Sequence, residues 1–182
     1  MKRAIGLLIA VLACSAVQSE NYYSASVTKF DLETTDVSLD ATGITATYGT
    51  ILSDNMSGEL RFGLGVSSEA YLYHMGYGYY DIGELELDHY YGAYLKFSSA
   101  SGQISPYAIF GLTKLKASSE GYTFYDGYSG PGEIEYYSGS SSEDDFSYGL
   151  GIDFANGFNI EYMQHLDKGG LELNGLSLGM KF

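Results

Sequence analysis

The sequence offers few residues that could catalyse a reaction. Its three histidines are His74, His89 and His165. Acyl transfer or hydrolysis would require a nucleophile within hydrogen-bond reach of a histidine, and a carboxylate that orients this base. His89 directly follows Asp88, but successive residues of a strand point to opposite faces. The sequence therefore predicts no catalytic residues and no enzymatic activity.

An acidic run could supply oxygen ligands for Ca²⁺ or Mg²⁺. It consists of Glu143, Asp144 and Asp145. The ligand spacing of an EF-hand loop is absent, however, and consecutive strand positions alternate in direction. A solvated acidic flank is the better interpretation, so we predict no metal site and no cofactor.

A further set of charged residues shares one direction if the segments that carry it are strands. Both signs are present, so salt bridges could form on that face, for example between Arg61 and acids such as Glu59. Pairing offsets the cost of removing charges from water. The members of this predicted polar network are Glu59, Arg61, Glu86, Asp88, Lys96, Asp153, Glu161 and Lys181.

The elements that must position these residues are strands, because apolar residues recur with a period of two and no stretch has helical periodicity. In segments 22–32 and 105–116 the apolar face is unclear. Phe110 and Leu112, for instance, share parity with Lys114, which indicates either a bulge or a mixed face. Clear alternation occurs in 44–52, 59–66, 85–97, 146–154, 158–166 and 175–182, so the total is eight strands.

The predicted connections between these strands alternate in length. Short turns are expected at 53–55, 99–102 and 155–157, where Asn, Asp, Ser or Gly suit turn geometry. Long loops are expected at 67–84 and 118–142. Residues 119–145 are rich in Tyr, Gly, Ser and acid and contain no basic residue, which favours a mobile surface loop.

Tyrosines are concentrated in the two predicted long loops. Tyrosine with serine and glycine forms adaptable binding surfaces. Alternatively, these tyrosines extend the strands, and the sequence favours neither interpretation. They are Tyr71, Tyr73, Tyr77, Tyr79 and Tyr80 in the first loop, and Tyr122, Tyr125, Tyr128, Tyr136 and Tyr137 in the second.

The face opposite the apolar residues decides between a soluble and a membrane barrel. It holds small residues and isolated charges, and the small residues include Gly49, Gly63, Gly65, Gly92, Gly149, Gly151, Gly175 and Gly179. Side chains fill the interior of an eight-stranded barrel, so we place this face inside and the apolar face in lipid. The inward charges then form either an ion-selective constriction or a structural plug, and we favour the plug.

The N-terminal residues 1–19 are typical of a secretory signal peptide. Lys2 and Arg3 precede an apolar run that is too short for a spanning helix, and small residues follow. Cleavage after Ala16 or Ser19 is expected, with lipoprotein processing at Cys14 as the alternative. The remaining residues, 20–182, form the predicted barrel domain.

Charge excludes one class of partner. The chain has 23 acidic and 9 basic residues and a formal net charge of −14. Nucleic-acid binding requires Lys and Arg to neutralise phosphates, so no nucleic-acid partner is expected.

The segment GLSLGMKF, residues 175–182, has Leu176, Leu178, Met180 and Phe182 at alternate positions. It resembles the C-terminal assembly signal of bacterial outer-membrane barrels. Together with the signal peptide, the eight strands and the loop pattern, residues 20–182 resemble the small OmpA-like and opacity-protein-like porin families. This resemblance implies an all-β, eight-stranded antiparallel up-and-down transmembrane β-barrel in the outer membrane of a Gram-negative cell, with periplasmic termini.

The resemblance also implies partners and several functions. Outer-membrane lipid, lipopolysaccharide and the assembly machinery that reads the last strand are the expected partners, and a monomer is expected. We favour a non-enzymatic envelope or adhesion protein, a surface antigen that binds a ligand through 67–84 and 118–142. A small porin-like channel for ions or solutes is the alternative, and an outer-leaflet lipid-modifying enzyme is a remote one.

Overall fold

The structure is a computed structural model that describes residues 20–33, 38–76, 79–99, 102–127, 130–131, 134–168 and 171–182. The predicted signal peptide and its predicted cleavage positions, as well as Tyr77 and Tyr128, lie outside these residues. The strands are β1 (Asn21–Glu33), β2 (Ser38–Ser53), β3 (Met56–Gly65), β4 (Ser68–Gly76), β5 (Tyr79–Ser98), β6 (Ile104–Gly127), β7 (Gly130–Pro131), β8 (Glu135–Phe154), β9 (Phe158–Lys168) and β10 (Leu171–Lys181). None of the described residues belongs to a helix long and apolar enough to cross a membrane.

Antiparallel pairing joins these strands into a closed barrel. The first and last strands pair along most of their length, from Ser24 with Lys181 to Glu33 with Glu172. Strands β3 and β4 pair successively with β5, so they form one interrupted strand of the wall. Counted in this way, the described residues form eight wall strands, and β7 pairs only with the end of β6. The predicted eight-stranded antiparallel barrel is confirmed.

The two ends of the barrel differ. The end with the tight turns, called the lower end here, holds the turn at Asp54 and Asn55 and the turn before Phe158, where Gly157 has a φ of 86°. The backbone N–H of Phe182 donates to the Tyr23 carbonyl at the same end (2.8 Å). At the opposite, upper end, most of the described residues of the long loops predicted at 67–84 and 118–142 are strand residues.

Those segments continue the wall as paired strands, which we call the upper extension (68–76, 79–86, 118–127 and 135–142). Glu84 lies opposite Glu120, and Glu120 lies opposite Ser138. The prediction of a mobile loop over 119–145 was therefore wrong. Serine and glycine left this stretch without an apolar face, but pairing with neighbouring strands satisfies its backbone groups, and tyrosine favours strands.

An apolar belt surrounds the lower part of the wall. Between Phe146 and Phe154, strand β8 rises about 20 Å at ~3.3 Å per residue and a tilt of ~40°, close to the ~25 Å band of transmembrane barrels. Exposed members of the belt include Val27, Ile44, Phe62, Leu64, Tyr91, Phe110, Phe146, Leu150, Ile160, Leu176 and Leu178.

Ion pairs on the outer surface mark the upper edge of this belt. Lys29 contacts Asp40 at 2.6 Å, and Lys116 contacts Asp88 at 2.8 Å. On β6, Phe110 and Leu112 lie in the belt and Lys114 lies above them on the same face. Segment 105–116 thus has a mixed face without a bulge of its own, which resolves the alternative left open by the sequence.

Two bulges change which residues face inward. On β5, Leu87 pairs with Ala117 but His89 pairs with Lys116, so Asp88 is an extra residue. On β9 a similar register shift lies between Gln164 and Leu166. Leu87 and Leu166 were expected to face lipid, but they lie buried inside the barrel, because an extra residue reverses the alternation above it.

The barrel interior is filled by tyrosines that lie across glycines of neighbouring strands. A Cβ added at Gly49 would overlap the ring of Tyr22, and one added at Gly63 would overlap the ring of Tyr90. The rings of Tyr94 and Tyr107 approach other glycines in the same way. Small residues therefore face inward as predicted, and they make room for large neighbours.

We expect Gly63→Ala to destabilise the barrel by about 1–3 kcal/mol, the usual cost of overpacking. The new methyl group must displace Tyr90, which is buried and hydrogen-bonded to Thr45. Urea unfolding in lipid vesicles measures the change. The control is Gly139→Ala, because the nearest atom to its Cβ is the Ser119 Oγ at 4.0 Å. Equal stability of the two variants would contradict the steric role of Gly63.

Candidate functional sites inside and above the barrel

Five charged side chains meet in the lower half of the barrel, and we call them the Arg61 cluster: Glu59, Arg61, Lys96, Asp153 and Glu161. Arg61 Nη2 lies 2.6 Å from Glu59 Oε2 and 2.8 Å from Glu161 Oε2. The Arg61 side chain is 10% exposed and each glutamate 3%. The guanidinium thus bridges carboxylates on two different strands, β3 and β9, across the lumen.

Lys96 extends the cluster towards the lower end. Its Nζ lies 2.8 Å from Asp153 Oδ2 and 3.8 Å from Glu59 Oε1. Glu59 therefore contacts both cations, and one continuous chain of ion pairs runs from Asp153 to Glu161. Buried charges are tolerated only when they are paired in this way.

Tyrosine hydroxyls complete the hydrogen bonding of the two buried glutamates. Tyr22 donates to Glu59 (2.6 Å), and Tyr107 donates to Glu161 (2.9 Å). The tyrosine rings also contact the cations, since Lys96 Nζ lies 3.7 Å from the Tyr107 ring centroid. The sequence did not identify these donors, because Tyr22 and Tyr107 belong to the two segments whose facing was ambiguous.

The space left among these charged groups is small. The polar cavity that they line has a volume of about 20 Å³, which holds about one water molecule. An ion crossing the barrel here would have to displace the cluster itself. The geometry at this level is that of a filled interior.

The remaining predicted network residues are not among the ion pairs of the Arg61 cluster, although Lys181 lines the same polar cavity. Lys181 lies at the lower rim, with its Nζ 3.8 Å from the Tyr22 ring centroid. Glu86 is exposed and pairs in register with Ser118 on the outer surface. Asp88 contacts Lys116 on that surface. The prediction of an inward direction for Glu86 and Asp88 was wrong, because Asp88 is the extra residue of the β5 bulge and the alternation is reversed above it.

The last strand presents its apolar residues outward. Leu176, Leu178 and Met180 are each about half exposed, and Phe182 is 74% exposed. Their proposed role in assembly stays a prediction, since their position is that of ordinary belt residues.

Each histidine packs against aromatic rings. His165 is buried between Phe30 and Tyr90, with ring centroids 5.5 and 5.3 Å away. His89 stacks on Phe62 and Tyr91 on the outer surface, and His74 stacks on Tyr80. Among the described residues, no group of three or more His, Cys, Asp or Glu side chains is arranged to hold a metal ion.

The inner side of the upper extension is cross-linked by hydrogen bonds. The hydroxyls of Tyr71 and Tyr137 lie 2.6 Å apart, and Tyr137 donates to Asp81 (2.7 Å). Desolvation and these hydrogen bonds raise the pKa of Tyr137, so the phenol remains protonated as a donor. These contacts join β4, β5 and β8 above the apolar belt and hold the strands of the upper extension together.

The outer side of the extension carries a groove of about 580 Å³. Glu84 and Glu120 both line it and lie side by side as register partners on β5 and β6. Among the described residues, neither carboxylate has a lysine or arginine partner. Tyr122 and Tyr136 flank the acids with their rings 5.8 Å apart, and Tyr136 is 77% exposed. We call this surface the Glu84–Glu120 groove.

No protein-family model and no curated protein matches the sequence. Solved structures do match. Ail, the attachment invasion locus protein of Yersinia pestis, was solved alone and with the heparin analogue sucrose octasulfate. The complex is 15% identical to this chain, covers 90% of this chain and 99% of its own, and has a TM-score of 0.53. Neisserial surface protein A is 12% identical over 88% of this chain and 95% of its own, also with a TM-score of 0.53.

These similarities show that the chain has the fold of the small eight-stranded outer-membrane β-barrels. At such low identity they carry no information about ligands or activity.

We expect Arg61→Ala to lower the free energy of unfolding by about 3–5 kcal/mol, because it leaves the buried Glu161 without a cation and leaves Glu59 with only the more distant Lys96. Urea unfolding in lipid vesicles, followed by circular dichroism, measures the change. Lys29→Ala is the control, since Lys29 and Asp40 are both more than half exposed, and no measurable loss is expected there. If Arg61→Ala retained full stability, the cluster would not support the fold.

Proposed function

We propose that this chain, with the fold of a small outer-membrane β-barrel, is a non-enzymatic surface protein of the outer membrane. In this proposal the barrel is a closed anchor, and the upper extension binds a partner outside the cell. The apolar belt, the ion pairs at its upper edge and the paired strands above them support this arrangement. The observation that carries the binding role is the Glu84–Glu120 groove.

The Arg61 cluster supports a closed anchor in preference to the small-pore alternative. Its ion pairs connect opposite sides of the lumen, and the cavity among them has room for about one water molecule. A conducting pore of this diameter would require the buried pair of Arg61 and Glu161 to separate, which is strongly unfavourable. The barrel then contributes to the envelope as a rigid support for the extension.

The groove supports binding of a cationic protein segment. Two carboxylates without basic partners are neighbours on adjacent strands, and they repel each other until a cation lies between them. The exposed ring of Tyr136 and the partly buried ring of Tyr122 beside it offer aromatic faces to lysine or arginine side chains. Acid and aromatic groups together suit a lysine- or arginine-containing polypeptide that also carries aromatic or aliphatic residues.

This partner differs in charge from the sulfated sugar that is bound in the Ail complex. A polysulfate ligand requires clustered lysine and arginine residues. Residues 67–84 and 118–142 of this chain contain no lysine or arginine. We therefore propose the opposite preference, in which polyanions are repelled and cationic surfaces are attracted.

Placement in the membrane follows from the same features. We propose that the lower end, with its tight turns and Phe182, faces the periplasm, and that the upper extension faces the outside. Outer-membrane lipid and lipopolysaccharide would then surround the belt. The alternating residues Leu176, Leu178, Met180 and Phe182 would serve the assembly machinery as well as the belt.

The groove is tested with the double variant Glu84→Gln/Glu120→Gln. In nanodiscs, the unaltered protein should bind a fluorescent alternating lysine–tyrosine peptide, more weakly as salt screens the charges. The double variant should bind about tenfold more weakly, equivalent to ~1.4 kcal/mol. Fluorescence anisotropy measures both affinities.

The matched control is Asp167→Asn/Glu172→Gln, another pair of facing acids, on β9 and β10. This variant loses the same charge as the groove variant, but the substituted residues lie away from the groove. Its affinity for the peptide should therefore equal that of the unaltered protein. If both double variants bound the peptide equally weakly, net charge alone would account for the effect and the groove would not be the binding site. Stronger binding of heparin than of the peptide would overturn the proposal.

A second prediction separates the anchor from the binding surface. Ser118 and Ser140 are register partners, so residues 119–139 can be replaced by an Asn-Gly turn that suits a two-residue hairpin. The shortened barrel should still fold and migrate as a heat-modifiable band on a gel, because the belt and the Arg61 cluster remain. Peptide binding should be lost. Failure to fold would show that the extension supports the barrel.

A further inference from the structure

A second cavity lies inside the barrel above the Arg61 cluster. Its volume is about 420 Å³, within the range of pockets that bind small molecules. Phe30, Leu87, Leu115 and Leu173 form its floor and lower wall, and Leu39 and Ala117 line it further up.

The floor separates this cavity from the charged groups below. Phe30 is fully buried and contacts the ring of Tyr90, with centroids 5.6 Å apart. Tyr90 and Leu166 complete the same buried cluster. The lining continues upward to Ser119 and Gly139 on the extension, so among the described residues the cavity extends from the Phe30 floor towards the upper end.

The cavity walls depend on the two bulges. Leu87 and Leu166 face inward only because an extra residue in β5 and in β9 reverses the alternation. Without the bulges, polar residues such as Asp88 would face the lumen at this height. Protein interiors are otherwise close-packed, and the lower lumen of this barrel is filled by tyrosines and ion pairs. An apolar cavity of this size is therefore an unusual feature of a barrel that serves only as an anchor.

We infer that this cavity binds the apolar chain of a single-chain amphiphile whose head group is neutral or cationic. The barrel wall encloses the cavity, so no folded partner can enter it, whereas an unbranched chain fits its apolar lining. Glu69 lies at the cavity mouth, where its carboxylate accepts from the Asp40 backbone N–H, whereas the Asp40 carboxylate pairs with Lys29 on the outer surface. The Glu69 carboxylate would repel an anionic head group and tolerate a neutral or cationic one. The site is distinct from the Glu84–Glu120 groove and does not depend on it.

The test uses three photoactivatable long-chain probes with the full barrel in nanodiscs: an alcohol, a trimethylammonium and a carboxylate. Mass spectrometry locates the labelled residues. We expect the alcohol and the ammonium probes to label Leu87, Leu115 or Leu173 in the cavity, and the carboxylate to label only belt residues such as Leu150 and Leu178. The source of the bound amphiphile is identified by labelling protein purified from outer membranes and protein refolded from urea. Weaker cavity labelling of the membrane-purified protein indicates that an amphiphile of the membrane already occupies the cavity. Equal labelling of the two preparations indicates that the amphiphile comes from outside.

Ala117→Phe fills the cavity and should reduce labelling of its leucines to background. Ala108→Phe is the matched control on the same strand, because Ala108 is exposed on the outer surface, and it should leave cavity labelling unchanged. Heat-modifiable migration confirms folding of each variant, and Ala41→Phe replaces Ala117→Phe if the latter does not fold. Labelling confined to the belt, insensitivity to both filling variants, or equal cavity labelling by the carboxylate would overturn the inference.

Discussion

Closure of the sheet between β1 and β10 is the constraint on which the rest of this structure depends. A hydrocarbon environment supplies no partners for backbone N–H and C=O groups, so a sheet that crosses it can have no open edge. Eight antiparallel strands satisfy this condition with a narrow lumen. The width of that lumen then limits what the inward positions can hold. In the lower and middle lumen, glycine on one strand makes room for tyrosine on the next, as Gly63 and Tyr90 show.

Inside this closed wall, polarity changes with height. The lower lumen holds the Arg61 cluster, where Arg61 is bound on two sides by carboxylates and Tyr22 and Tyr107 supply further donors. The middle level is aromatic and aliphatic, around Phe30. Above it the lumen widens into an apolar cavity with Glu69 at its mouth. The charged lower part favours a closed anchor, and the outer groove and the inner cavity are the two places where we propose separate sites for a cationic polypeptide and for an apolar chain.

Two bulges and the strand extension account for most of the differences from the sequence-based expectations. Period-two alternation places residues correctly only while the register is regular, and a single extra residue reverses every position beyond it. Glu86 and Leu87 were misplaced for this reason, although the alternation on both sides of the bulge was correct. The extension was missed for a different reason: its serine, glycine and tyrosine residues have no apolar face, and their strand pairing depends on neighbours far away in the chain.

The sequence alone determined the barrel class, the number of wall strands, the lower turns at 53–55 and 155–157 and most of the lipid-facing residues, because these follow from local alternation and turn chemistry. It also indicated that Arg61 and Glu59 share a face, since they are two residues apart on one strand. Only the tertiary structure decided that Glu161, a hundred residues away, binds the same guanidinium, that tyrosines cover the inward glycines, and that the upper lumen contains an apolar cavity. These contacts join different strands across the lumen, and their geometry is set by barrel closure and register, which no local pattern of residues specifies.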